Sequence, residues 1–396
     1  MSHDQPQAWR TVTIEDLGQV VTGRTPPSSK PEMFGSEYPF ITPSDMSFGL
    51  RRVTTERSIS LIGSLALGRI KLPPKSVAFV CIGATIGKVC LTSEDSFTNQ
   101  QINSIVVDCD RHSPEFVYYL MLGMVDKVKA LAGGAATPIV NKSSFCGISV
   151  SIPPIEIQSK IAFTLSAYDD LIENNTRRIE ILEEMARRLY EEWFVQFRFP
   201  GHEGVEFKES ELGPIPECWS VKCLGEVADL KWGDTKTTKQ SYLEHGYVAY
   251  SAAGADGFLD YYDFDRPGVV LSAIGANCGA TWFAKGKWSC IKNTIRFWSK
   301  EDGVSEEYLY LATYGSEFWP KRGSAQPFIS QEDARSCKLL APPKALGYVF
   351  SKLVGPLFEM ANSLSEANKN LRRQRDTILP KLISGEIDVS DIPMPT

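Results

Sequence analysis

The chain has 396 residues, 43% hydrophobic and 23% charged, which is ordinary globular material long enough for two or more cores. A net charge of −6 argues against a protein that coats polyanions indiscriminately, although a local basic groove can coexist with an acidic total. Nine cysteines without a CxxC pair give neither a disulfide framework nor a zinc ligand set; with a polar N-terminus and no long apolar run, they predict a soluble, unexported, cytoplasmic chain with no membrane contact.

In chain order, Trp9–Leu17 reads as a strand or short helix entry, and Val20–Thr22 leads into Gly23, Arg24, Thr25 and Pro26, a loop marked by glycine and proline. Ser76–Ile82 is a β-prone run entering a turn with Gly83 and Gly87. The turn resembles a phosphate-binding loop only superficially, because three residues rather than four separate the glycines and Val89 follows the lysine. Asn103–Val107 is another strand, Ser113 and Pro114 open a helix, and Gly133–Asn141 is a small-residue loop. Pro153 and Pro154 close this first globule.

From about Ile155 to Phe197 the pattern changes. Ile161, Leu165, Tyr168, Ile172, Ile179, Leu182, Ala186, Leu189 and Trp193 recur at alternating steps of four and three, with Asn175 inside the series. That heptad stripe predicts one long helix in need of a partner, on the order of 60 Å long. Pro200–Ser210 is a polar linker, and a second globule opens at Glu211–Trp219.

Its landmarks repeat the first. Ile274, Gly275, Ala276 and Gly279 answer Ile82, Gly83, Ala84 and Gly87; Asn293–Phe297 answers Asn103–Val107; Gly323–Ile329 answers Gly134–Val140; Pro342 and Pro343 answer Pro153 and Pro154. A second heptad stripe follows: Phe350, Val354, Leu357, Ala361, Leu364, Asn368, Leu371, Arg375, Ile378 and Leu382, each about 189 residues after its counterpart. Two such halves predict antiparallel helices with a globule at each end, a dumbbell. Asn175 and Asn368 would fix the register, and Gly355 and Pro356 predict a kink or a late start of the second helix.

The opening Glu211–Trp219, the loop Gly323–Ile329, the double prolines and the ending Lys381–Ile387 together resemble the specificity subunit of Type I restriction-modification enzymes, over nearly the whole chain. The resemblance implies an α+β fold: two pseudo-repeated α/β target recognition domains separated by two long antiparallel coiled-coil helices. It places the first recognition domain at 1–154, the spacer helices at 155–199 and 344–385, the linker and second recognition domain at 200–343, and a tail at 386–396. It further implies double-stranded DNA as ligand, with two modification (methyltransferase) subunits and two restriction (translocase and nuclease) subunits as partners. The first helix ends in Trp193–Phe197 where the second ends in leucine and Ser384–Ile387, so the two ends need not dock alike.

Position and side-chain chemistry nominate DNA-contacting residues: Arg24 and Thr25 before the two prolines, Thr137 and Lys142 around the small-residue loop, and Lys321, Arg322, Ser324 and Gln326 in the matching loop. Lys231, Lys236 and Lys239, interleaved with threonines, form a basic strip suited to phosphates. Glu183, Glu184, Arg187, Arg188, Glu191 and Glu192 stand in pairs four apart, a solvated helix face or a docking face.

Catalytic motifs are missing. His3, His112, His202 and His245 lie in unrelated contexts, no methyltransferase motif or cofactor loop occurs, and Glu206-Phe207-Lys208 echoes a nuclease triplet only in a linker. No metal or cofactor is expected. The rival readings are a two-module scaffold that does not bind DNA and a stand-alone restriction-methylation enzyme.

Overall fold

The computed structural model describes residues 9–132 and 138–394. The chain divides into two compact units, Met1–Asn175 with Glu366–Thr396, and Thr176–Ser365. Each long helix contributes one portion to each unit.

In the first unit a four-stranded antiparallel sheet has the order Gly18–Thr22, Ile102–Val107, Val77–Val80, Val89–Leu91. In the second unit the order is Ala228–Trp232, Thr294–Ser299, Gly268–Ser272, Thr281–Ala284. A two-stranded ribbon accompanies each sheet: Arg10–Thr13 with Ser149–Ile152, and Ser220–Cys223 with Lys338–Ala341. The repeat read from landmarks is therefore a repeat of topology. Val77–Val80 and Gly268–Ser272 are buried on both faces, which explains their uninterrupted apolar text. Gly83–Lys88 is the turn joining two strands of the first sheet, with Gly83 at φ 91° and Gly87 at φ 95°.

The first long helix runs Ile155–Tyr190 and continues through a π-helical turn, Glu191–Val195; the second runs Lys344–Ile383. Every member of both heptad stripes is buried or half-buried. The second helix starts directly after Pro343 and continues through Gly355 and Pro356, so it does not start late. Phe350, Val354, Leu357 and Phe358 pack into the core there, and that burial outweighs the missing Pro356 donor.

Within the first unit the helix portions pair antiparallel. Asn175 Nδ2 donates to Asn368 Oδ1 at 3.0 Å, and Asn368 Nδ2 donates to the Ile172 carbonyl at 3.3 Å. A partly buried rung of this kind leaves an amide unpaired in any slipped register. Further along, the Arg375 guanidinium pairs with Asp169, which also accepts from Tyr119 Oη at 2.6 Å; Arg375 donates to the Gly49 carbonyl at 2.9 Å. Arg375 and Asp169 are only 3% and 4% exposed, so the pair compensates two buried charges, and Arg375 is bonded also to Asp376 at 2.9 Å. Burial alone would lower the Arg375 pKa, but the Asp169 carboxylate outweighs it and holds the guanidinium charged. Neighbouring Arg51 reaches Asp170 and Glu173. The network ties the loop around Gly49–Arg51 to both helix portions.

In the second unit an aromatic cluster joins the helix portions to the globule. Phe194 lies 4.7 Å from Phe350, 4.9 Å from Tyr308 and 5.5 Å from Trp219, ring centroid to centroid. Trp193 and Phe194 of the π-helical turn are both buried.

Asp169→Ala should destabilise the protein by about 2–4 kcal/mol, because it leaves the buried guanidinium with only the exposed Asp376 carboxylate for charge and takes the acceptor from Tyr119 Oη. Asp169→Leu combined with Arg375→Leu should recover much of that loss in urea unfolding.

His112, 1% exposed, contacts the Asp16 carbonyl through Nε2 at 3.3 Å and Gln158 Nε2 through Nδ1 at 3.4 Å. Burial depresses its pKa below the ordinary value. Below about pH 6.5 the unfolded chain takes up a proton that the folded chain resists, so stability is full above that pH and declines as pH falls beneath it. Thermal melts between pH 7.5 and 5.5 should show this slope, and His112→Gln should flatten it.

Candidate nucleic-acid interface

At one end of each main sheet, several loops are held together by main-chain hydrogen bonds. In the first unit Gly23 N donates to the Ile102 carbonyl at 3.1 Å and Arg24 N to the Thr98 carbonyl at 2.9 Å. Cys81 N donates to the Gln101 carbonyl at 2.8 Å, Gly83 N to the Pro138 carbonyl at 2.9 Å, and Val140 N to the Cys81 carbonyl at 2.9 Å. The second unit repeats each bond at the matching place. Gly233 N donates to the Thr294 carbonyl, Asp234 N to that of Cys290, Ala273 N to that of Asn293, Gly275 N to that of Pro327 and Ile329 N to that of Ala273, all between 2.8 and 3.0 Å.

Glycine is needed where these loops cross. A Cβ on Gly23 would sit 2.3 Å from the Thr98 and Asn99 carbonyl oxygens, and one on Gly233 would sit 2.5 Å from the Ile291 carbonyl and Thr294 Oγ1. Backbone rather than side chain thus sets the approach of the loops, and the side chains around them vary. In the first unit Thr22 Oγ1 donates to Asn103 Oδ1 and Thr25 Oγ1 to Gln100 Oε1, both at 2.7 Å, while Asn99 and Gln101 bond to each other. In the second unit Asp234 accepts from Lys236 N and from Thr237 Oγ1, bonds that hold its carboxyl below the usual range.

The nominated residues divide accordingly. Arg24 and Thr25 lie in the first cluster; Thr137 lies outside the described residues; Lys142 is the exposed first residue of the helix Lys142–Cys146, which Asn141 caps. Lys321, Arg322, Ser324 and Gln326 are exposed around the second loop, where Arg322 and Phe328 exchange main-chain bonds at 2.9 Å. The Arg322 guanidinium pairs with Asp333, and the Lys239 ammonium pairs with Asp256, so both charges are partly spent inside the fold. Lys236 belongs to the Asp234 turn, and exposed Lys231 lies on the strand Ala228–Trp232, opposite Arg296. Gln100 and Lys292, exposed on equivalent turns, escaped the sequence reading, because the landmark that set Asn293 against Asn103 is two residues out: the main-chain bonds match Asn293 with Gln101 and Thr294 with Ile102. Of the helix pairs, Glu184 bonds Arg188 at 2.7 Å, while Glu192 is taken by Arg198 instead.

Exposed hydroxyl, amide, guanidinium and ammonium groups on a rigid main-chain frame suit recognition of base edges and phosphates. The family model for the Type I restriction modification DNA specificity domain matches residues 6–184 and again 216–354. The chain belongs to that family. As a specificity subunit of a Type I restriction-modification system, it reads DNA sequence and has no catalytic activity of its own. The Type I restriction enzyme MjaIX specificity subunit of Methanocaldococcus jannaschii is 26% identical over 422 residues, covering 98% of this chain and 95% of that protein. The HindI specificity subunit of Haemophilus influenzae is 37% identical over 194 residues, covering 46% of this chain and 41% of that one. The fold is similar to the crystal structure of the Type I system S subunit from M. genitalium, with a TM-score of 0.59 at 18% identity, covering 96% and 98% of the two chains.

Gly23→Ala and Gly233→Ala should each cost about 1–3 kcal/mol in thermal unfolding and speed amide exchange in the surrounding loops. Gly68→Ala, where a Cβ meets open space, should change stability by less than about 0.5 kcal/mol.

Proposed function

We propose that each specificity domain reads one half of a two-part DNA target with its own loop cluster. In this reading the first recognition domain spans residues 1–154 and the second lies within 200–343, while the long helices serve as spacer and as docking surface. Two modification subunits and two restriction subunits complete the assembly in the cytoplasm. The observation that carries the reading is the doubled set of main-chain bonds: the same loop frame occurs twice and carries different side chains. Arg24 stands where the second frame has Asp234, and Gln100 where it has Lys292. Equal frames with unequal side chains suit two different half-sites, because donors and acceptors at base edges decide which pair is bound. Among the described residues no helix is long and apolar enough to cross a membrane.

Exchanging residues 1–154 for the matching segment of a relative with a different target tests this. Sequencing of modified bases should then show one half of the target changed and the other retained. A target unchanged, or changed in both halves, would refute the assignment of one half-site to each domain.

A further inference from the structure

The two loop frames share one feature that their polar chemistry leaves unexplained. Ile139 bridges antiparallel to Ile82 in the first unit, and Phe328 bridges antiparallel to Ile274 in the second. Each is an apolar residue at the same station, 51% and 39% exposed, while the next residue, Val140 or Ile329, is buried at 2% or 0%. Main-chain bonds hold the rung on both sides: Gly83 N to the Pro138 carbonyl and Val140 N to the Cys81 carbonyl, with the matching pair in the second unit. An exposed side chain on so firmly tied a backbone cannot turn inward without breaking the rung. The protein therefore presents an apolar group, twice, amid exposed polar side chains.

We infer that Ile139 and Phe328 are specificity-determining residues, each making an apolar contact with the 5-methyl group of a thymine in its own half-site. Among the groups that base pairs present in the major groove, that methyl is the apolar one, and an apolar side chain is its natural complement. Backbone rigidity supplies discrimination, since the side chain cannot retreat from a pair that lacks the methyl. The inference rests on the reading that the loop clusters face DNA.

The test uses the assembled methyltransferase complex and duplexes carrying its own target, identified from the modified bases of a host that carries the system. Each thymine in turn is replaced by deoxyuridine, which removes only the methyl. The wild-type complex should lose about fourfold in affinity at one thymine in each half-site, the equivalent of one buried methyl. Ile139→Ala should abolish that sensitivity in one half only, Phe328→Ala in the other, and Phe328→Leu should restore part of it. Because both side chains are substantially exposed, unchanged melting temperatures will separate a lost contact from a lost fold. A target half without an A·T pair overturns the inference, as does a variant that keeps the wild-type response to deoxyuridine at every thymine. A wild-type complex that binds all sequences equally would instead refute the DNA-reading assignment of the loop clusters.

Discussion

The apolar stripe on each long helix is the constraint on which the rest of this structure depends. A stripe of this length exposed to water would be costly, and neither helix has a reason to form alone. In each unit the stripe of one helix portion is covered by the other and by the adjoining globule: Ile161, Leu165, Leu379 and Leu382 belong to the first core, and Ala186, Trp193, Phe350 and Val354 to the second. The globules are thus built onto the helices, not tethered beside them.

The two units draw on different chemistry where the long helices meet the globules. The first places an ion pair and a tyrosine hydroxyl between helices and globule, with a paired asparagine rung nearby. Such groups tolerate few alternative arrangements, because every shift leaves a buried charge or amide without its partner. The second unit uses stacked and edge-on rings around Phe194, which fill volume and permit more adjustment. A fold repeated in topology is therefore not repeated in its energetics.

A similar division holds at the loop clusters. Main-chain bonds and the crossing glycines are common to both units, whereas the side chains at matching stations differ in charge and size. The arrangement lets side chains at the reading surface change while the fold is left in place. It also explains why several nominated cations proved less available than their sequence context implied: Arg322 and Lys239 are recruited to Asp333 and Asp256, which order the loops that carry them.

The sequence by itself determined the repeat, the two helices and their stripes, and strands within Ser76–Ile82 and Asn103–Val107, because periodicity and glycine-proline punctuation are local signals; that Asn175 and Asn368 meet each other, and the register of the second-half strand Thr294–Ser299, came from the tertiary structure. Tertiary structure decided what depends on residues distant in sequence. Arg375 reaches Asp169 and the Gly49 carbonyl, and Asp169 in turn holds Tyr119; no spacing announces these distant partners. The length of the second helix was decided the same way, because packing around Phe350 and Phe358 overrode the local Gly355-Pro356 signal. The exposure of Ile139 and Phe328 likewise follows from bridges to strands far away in the chain, and in sequence both residues read simply as apolar.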